Sequence, residues 1–342
     1  MAQQISVLGI DIVKLVFHVV EVDDTGHVVL RKRIARSELL TFIPNLPPLP
    51  IGMEACRSVH YWARRFREHG HEVRLIAPQF VKAYVKSPKN DARDAEAICE
   101  AVTRPTMRVV PIKRLEQQDL QALHRVRERL IRARTPLVNE IRGLLSEYGM
   151  IFPQNLTKFR ALIVDKQHED QAKLTTLSAE VFWQLYDEFR ALERRLEYDD
   201  EKRAAIGQAH PAWQRLQTIP GIGPVTATAL IATIGDVTQF TNGCQLSAWP
   251  GLVPREHSTG CKPRLLGISK RGNIYLRKLL VHGARATLRW IETKDDARSR
   301  WLRALIARRG KNRAAVALAN KNARIVWALL AHDQEYRVPV TA

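Results

Sequence analysis

The sequence has few of the residues that stabilise small secreted domains or cross membranes. Its four cysteines are far apart and form no CxxC or Cys/His pair with zinc spacing: Cys56, Cys99, Cys244 and Cys261. Neither a disulfide framework nor a structural zinc is therefore expected. No apolar run reaches the ~18 residues that a membrane helix needs. The opening segment, MAQQISVLGID, lacks the charged start and apolar core of a signal peptide, which predicts a cytoplasmic location.

Acidic residues are scarce relative to basic ones. The chain has 54 Lys and Arg against 35 Asp and Glu, a net charge of +19. The net charge is +4 over residues 1–110, +1 over 111–250 and +14 over 251–342. A solvated face is the ordinary interpretation of a charge run, but this excess favours a polyanionic partner over a small metabolite. We therefore predict nucleic-acid contact by the last 92 residues and association with the nucleoid.

At ~150 residues per domain, the length of 342 residues favours two domains, with room for a linking element. The first hundred residues alternate between short apolar runs and turn residues. This pattern predicts three antiparallel strands followed by alternating helix and strand, hence a mixed sheet flanked by helices. The expected strands cover 7–11, 15–22, 27–34, 51–54 and 72–77, and the expected helices cover 59–69 and 91–102.

The rest of the chain is predicted to be mainly helical. Apolar positions recur near helical period over 115–148 and 179–206. Their balanced charge favours an antiparallel or coiled-coil arm that spaces or joins subunits, with an ordinary bundle as the alternative. Residues 246–260 resemble a loop, and basic helices are expected at 273–291, 301–309 and 313–330. These changes divide the chain into candidate domains at 1–110, 111–208 and 209–342.

Four acids form the first candidate site. Asp11 and Glu54 end two predicted strands, and Asp91 and Asp94 are three apart at a helix start, so they share one helix face. Acids from strand ends and a helix start can converge at one sheet edge. There they would hold two divalent metals for phosphoryl transfer, and magnesium suits an all-oxygen site. The alternative for Asp91 and Asp94 is stabilisation of the helix dipole.

A nucleotide-binding loop is not expected after the first strand. ATPases that begin with a strand, an Asp and a hairpin need glycines there, so that a phosphate can approach the backbone. In this chain Asp11 is followed by Ile12-Val13-Lys14. The sequence therefore disfavours a sugar-kinase or actin-like site.

A glycine-rich turn forms the second candidate site. The segment Pro220-Gly221-Ile222-Gly223-Pro224 separates two apolar helical stretches, as in a helix-hairpin-helix. Backbone amides of Gly221 and Gly223 can bind a DNA phosphate without reading bases. A tight helical turn without a ligand is the alternative.

A serine in a basic loop forms the third candidate site. Ser258 is followed by Thr259 and Gly260. Surrounding cations can bind phosphate and stabilise a phosphoryl transition state: Arg255, Lys262, Arg264, Lys270, Arg271, Arg277 and Lys278. Spacing alone does not separate Ser258 from Ser247 or Ser269, and a surface serine is more often a simple hydrogen-bonding group.

Five motifs together resemble one known family over nearly the whole chain. They occur in family order as GID, GMEAC, KNDARDAEAI, IPGIGPVTA and GLVPREHSTG with GISKRGNIYLRK. The pattern is similar to the DEDD insertion-sequence transposases, the bridge-RNA-guided recombinases of the IS110 type, and the wording of the last motif resembles their IS1111-like branch.

The resemblance implies a RuvC-like RNase H fold over 1–110, a coiled-coil arm and a mostly helical transposase domain. It also implies magnesium (or manganese) at Asp11, Glu54, Asp91 and Asp94, a nucleophile at Ser258, and a noncoding guide RNA that pairs with element-end and target DNA. A homo-oligomer, dimer or tetramer, is expected. The alternatives are a RuvC-like junction nuclease in which Ser258 is structural, and a non-catalytic nucleic-acid-binding protein.

Overall fold

The computed structural model describes residues 5–85, 91–170, 173–260 and 262–337. The chain forms two compact units, Met1–Arg114 and Leu115–Ala342. Within the described ranges, no helix is long and apolar enough to cross a membrane.

A six-stranded sheet organises the first unit. Its strands are β1 (Ile5–Ile12), β2 (Val16–Asp23), β3 (Val28–Ala35), β4 (Pro50–Glu54), β5 (Glu72–Ile76) and β6 (Val109–Val110). Its helices are α1 (Leu39–Phe42), α2 (Val59–Glu68), α3 (Pro78–Val81) and α4 (Asp91–Val102).

The sheet has the order β3-β2-β1-β4-β5-β6. Strands β1 to β3 form an antiparallel meander, whereas β4 and β5 continue in parallel from β1. β6 then pairs antiparallel with β5. The predicted mixed sheet with three leading antiparallel strands is therefore confirmed.

The two faces of the sheet carry different helices. Leu8 and Ile10 are buried with Trp62 and Phe66 of α2. Val7 instead belongs to the cluster formed with Ile98 and the rest of α4. The division follows from the alternation of side chains along a strand, which sends odd and even positions of β1 to opposite faces.

Two glycines let α4 lie close to the sheet. A Cβ on Gly9 would overlap the carbonyl oxygen of Ala95, and one on Gly52 would lie 2.9 Å from a methyl carbon of Ile98. Both contacts come from α4, so the helix lies across β1 and β4 at a distance that leaves no room for a side chain at either glycine.

Helices form most of the second unit. They are α5 (Leu115–Ser146), α6 (Leu156–Asp170), α7 (Thr176–Gln208), α8 (Ala212–Gln217), α9 (Pro224–Ile234), α10 (Gly243–Ala248), α11 (Ile274–Thr287), α12 (Ala297–Arg309) and α13 (Lys311–Ala331). A two-stranded hairpin, β7 (Pro254–Glu256) with β8 (Leu265–Ile268), interrupts them.

The prediction of a loop over 246–260 is wrong in part. Residues up to Ala248 belong to α10, whose first turn is capped because the Asn242 side chain accepts a hydrogen bond from the Gln245 amide. Residues 254–256 pair with 265–268. That partner strand lies beyond the predicted loop, so the local pattern did not show the pairing.

The long helices α5 and α7 are joined by charge pairs as well as by apolar contacts, and one of the carboxylates, Glu193, is buried. Arg127 Nε lies 2.8 Å from Asp200 Oδ1, and Arg134 Nη1 lies 2.8 Å from Glu193 Oε1. Glu193 also pairs with Arg160 of α6. Because a buried carboxylate is costly without partners, the two arginines around Glu193 hold α5 and α6 against α7.

A second polar cluster joins α5, α7 and α11. The ring nitrogen Nδ1 of His124 lies 3.0 Å from the hydroxyl oxygen of Tyr275. The neighbouring Arg203 is almost fully buried and pairs with Asp200. Burial, followed by the charges of Arg203 and Arg127, lowers the pKa of His124 to about 3. His124 is therefore a neutral side chain in this interior.

Candidate nucleic-acid and strand-cleavage sites

The structure brings Asp11 and Glu54 to neighbouring positions at one edge of the sheet. Parallel pairing aligns Ile10 of β1 with Met53 of β4, and each acid is the next residue along its strand. Each also lies two residues beyond a glycine that faces α4, so both acids are on the face covered by that helix. Both side chains are half-buried.

The pKa of the Cys56 thiol responds to both carboxylates, Asp11 and Glu54, so both lie close to this side chain. Burial raises the pKa of Cys56 to about 11, and the negative charges of Glu54 and Asp11 contribute in the same direction. Cys56 is therefore a neutral thiol at physiological pH and not a thiolate nucleophile. Cys56 lies only two residues after Glu54, and this spacing is the sequence signal for its place at the edge.

Helix α4 supplies the remaining acids of the predicted set. Asp94 is half-buried and directly precedes Ala95, which lies against Gly9 of β1. The side chain of Asp91 lies outside the described residues, although its backbone begins α4. Three-residue groups of His, Cys, Asp or Glu with metal-binding geometry do not occur among the described residues.

The donor chemistry at this edge suits a hard divalent cation. Asp11 and Glu54 offer carboxylate oxygens, the ligands that magnesium prefers. They lie side by side on adjacent strands, and α4 begins on the same face. The described side chains thus fit part of a metal site, with the α4 acids as the candidates to complete it.

Ser258 is exposed near the tip of the β7–β8 hairpin. The His257 amide donates to the Arg264 carbonyl at 2.9 Å, and the Lys262 amide donates to the Thr259 carbonyl at 3.1 Å, so the pairing continues beyond both strands. The Ser258 hydroxyl donates to Glu256 Oε1 at 2.5 Å. The predicted basic loop is therefore a hairpin that presents a hydroxyl beside a carboxylate.

Solvent exposure distinguishes Ser247, Ser258 and Ser269, whereas their spacing in the sequence does not. Ser247 is buried in α10, where its hydroxyl donates to the Cys244 carbonyl at 3.0 Å. Ser269 follows β8 and is half-buried, and its amide donates to the Val253 carbonyl at 2.8 Å. Only Ser258 among the three is exposed.

The predicted phosphate-binding cations fall into two groups. Those on and beside the hairpin are exposed, and none of them forms an ion pair within the part of the chain that the structure describes: Arg255, Lys262, Arg264, Lys270 and Arg271. Arg277 instead donates to the carbonyls of Pro250 at 2.6 Å and Arg271 at 3.1 Å. Lys278 pairs with Glu128 of α5 at 2.6 Å.

The glycine-rich turn between α8 and α9 is occupied on one side by helix packing. Gly221 has a positive φ of 93°, and a Cβ there would lie 2.8 Å from the carbonyl oxygen of Gly283 in α11. The Asn322 side chain also donates to the Pro220 carbonyl at 3.0 Å. Helix packing is thus enough to explain why a glycine stands at position 221, whereas a side chain at position 223 would meet open space. Phosphate binding by this turn stays a prediction.

Two family profiles match this chain. One is the profile of the IS110-type DEDD transposases. Its description is "Transposase", and it matches residues 8–150. The other is described as the transposase IS116/IS110/IS902 family and matches residues 213–302. The first match covers the carboxylate edge and α5, and the second covers the glycine-rich turn and the serine hairpin.

Similar proteins align over almost their full lengths. A "Probable family 20 transposase" of Pseudomonas aeruginosa is 52% identical over 97% of this chain and 99% of its own length. The "Transposase for insertion sequence element IS1111A" of Coxiella burnetii is 46% identical over 98% of this chain and 92% of its own length. The "Transposase for insertion sequence element IS1328" of Yersinia enterocolitica is 39% identical, over 95% and 96%. With its carboxylate edge and basic hairpin in the matched segments, the chain belongs to the IS110/IS1111 family of insertion-sequence transposases.

Proposed function

We propose that this transposase cuts, exchanges and rejoins DNA through a phosphoserine link at Ser258, aided by a divalent metal at the carboxylate edge. The observation that carries this proposal is the position of Ser258. Its hydroxyl is exposed near a hairpin tip, donates to a carboxylate and stands among exposed cations. A solvent-exposed structural serine needs none of these neighbours.

The cations of the hairpin have a defined role in this mechanism. Attack by a hydroxyl on a phosphodiester builds negative charge on the phosphoryl oxygens, and fixed positive charges lower the energy of that state. Arg255, Lys262 and Arg264 lie on the hairpin itself, within a few residues of Ser258. The resulting phosphoserine retains the phosphodiester bond energy, so that a second hydroxyl can reverse the step without ATP.

The acids of the first unit hold the metal in this proposal. Asp11 and Glu54, with Asp94 and Asp91 from α4, would hold Mg²⁺ or Mn²⁺. Such an ion stabilises negative charge on phosphoryl oxygens and on the leaving oxygen. Without an ion, adjacent carboxylates repel each other and a phosphate, so the neighbouring positions of Asp11 and Glu54 favour a metal-dependent role.

Substrate choice in this proposal lies with a noncoding RNA from the element. The chain would hold element-end and target DNA through its basic last quarter, which carries a net +14. Sequence would then be read by base pairing, a division of labour known from other RNA-guided proteins. Helices α5 and α7 would act as a coiled-coil arm that joins copies of the chain, and α8 and α9 as a helix-hairpin-helix. The N-terminal sheet would be RuvC-like.

Trapping of the covalent link tests this function. Wild-type protein and guide RNA are incubated with a nicked duplex of the element end, and the adduct is mapped by mass spectrometry. Ser258→Ala should bind the duplex normally and give no adduct and no recombinants. Ser269→Ala is the matched control, because Ser269 follows the same hairpin but is half-buried, and it should form the adduct.

The outcomes distinguish the competing functions. An adduct on another residue would move the nucleophile from Ser258. Metal-dependent cleavage without any adduct would instead support the junction nuclease that uses the carboxylate edge alone. Efficient site-specific recombination by RNA-free protein would refute RNA guidance, and a strict monomer on DNA by light scattering would refute assembly through the arm.

A further inference from the structure

Glu256 is an isolated acid in a strongly basic region. It is the only Asp or Glu between Asp236 and Glu292, a stretch that contains nine Lys and Arg. A carboxylate in a surface that binds phosphate repels the ligand. A negative charge at this position therefore opposes DNA binding, which is the reverse of what the surrounding cations do.

The hairpin places this one acid beside the candidate nucleophile. Glu256 ends β7, in register with Leu265 of β8. Ser258 follows two residues later, and the intervening His257 still donates its amide to Arg264. Residues two apart on an extended chain share one face, which explains how the Ser258 hydroxyl reaches Glu256 Oε1 at 2.5 Å.

We infer that Glu256 is the proton acceptor for Ser258, an assignment that rests on the phosphoserine function proposed above. As Oγ of Ser258 forms its bond to phosphorus, the hydroxyl proton moves to Glu256 Oε1. The bond from phosphorus to the leaving deoxyribose oxygen breaks, and that oxygen takes a proton from water. Glu256 then releases its proton to solvent, where the proton neutralises the hydroxide left by that water, and the carboxylate is ionised again.

The other titratable neighbours are less suitable for this role. Arg255, Lys262 and Arg264 carry positive charge and stabilise the phosphate instead of taking a proton. His257 can accept a proton, but it is adjacent to Ser258 in an extended segment, where consecutive side chains point to opposite faces. The hydroxyl of Ser258 donates to Glu256.

Replacement of the carboxylate by its amide isolates the proton transfer. In Glu256→Gln, the side-chain oxygen still accepts a hydrogen bond from Ser258 but cannot take its proton. General-base catalysis contributes ~10²–10⁴-fold, so the rate of adduct formation on the nicked element-end duplex should fall at least ~100-fold. Affinity for the same duplex, measured by fluorescence anisotropy, should stay unchanged or increase because a negative charge is removed.

Two further variants complete the test. Glu256→Asp retains a carboxylate and should recover much of the adduct rate, whereas His257→Gln should form the adduct within ~3-fold of wild type. Glu256→Gln with a wild-type adduct rate would overturn the inference, as would weaker duplex binding that accounts for its slow reaction. Absence of an adduct from the wild-type protein would instead count against the phosphoserine function itself.

Discussion

The buried His124 should make the second unit sensitive to mild acid. Its pKa is about 3 in the folded chain and 6.5 in a solvated state. Because the folded value is the lower one, the contribution of His124 to stability is fully present above pH 6.5 and is lost as the pH falls towards 3. The free energy of unfolding should then fall by ~2 kcal/mol between pH 7 and pH 5 through this group alone.

Comparison of two variants isolates this effect from other titrating groups. Denaturant unfolding at both pH values can be followed by tryptophan fluorescence, since six of the seven tryptophans lie in the second unit. His124→Gln should be less stable at pH 7 but lose ~2 kcal/mol less than wild type between pH 7 and 5. Tyr275→Phe leaves His124 in place and should retain the acid sensitivity. Equal losses in His124→Gln and wild type would refute the reasoning.

Three further predictions follow from the first unit and the basic hairpin. Gly9→Ala should lower the free energy of unfolding, measured by thermal unfolding, by ~1–3 kcal/mol, and by more than Gly52→Ala does. The new methyl group at position 9 meets the backbone of α4, whereas the one at position 52 meets side chains that can move. A larger loss in Gly52→Ala than in Gly9→Ala would contradict this placement of α4. Asp11→Asn should abolish recombination in a plasmid assay without loss of stability, and wild-type recombination would exclude a metal role. Lys262→Gln with Arg264→Gln should reduce the slope of log affinity for DNA against log salt by about 2, and an unchanged slope would remove both from the DNA surface.

The first unit could be predicted in detail because its signals are local. Runs rich in β-branched residues, separated by turn residues, mark β1, β2 and β3, and Asp11 lies near the end of the first run. Glu54 instead ends the short apolar segment Ile51-Gly52-Met53, which follows a proline-rich loop. The edge could be foreseen as well, since acids at the ends of parallel neighbours must come together. The sequence did not indicate the close approach of α4, because the reason for Gly9 and Gly52 lies in what packs on them.

The serine hairpin was less predictable because its signals are non-local. β7 is three residues long and pairs with a segment beyond a polar turn, so neither strand has a recognisable period of its own. The distinction between Ser258 and Ser247 also depends on burial, which spacing does not report. The sequence marks Glu256 as unusual, because it is a single acid among basic residues. Its hydrogen bond with Ser258 could be recognised only from the structure of the hairpin.

The two carbonyl contacts of Arg277 have a consequence for exchanging parts between relatives. This side chain comes from the first turn of α11 but holds the backbone at Pro250, before β7, and at Arg271, after β8. It therefore clamps both ends of the hairpin to the following helix. A chimaera that transplants only 254–268 would break this clamp if the host helix lacks the arginine. The smallest transferable module is thus Pro250 through Arg277, hairpin and helix start together.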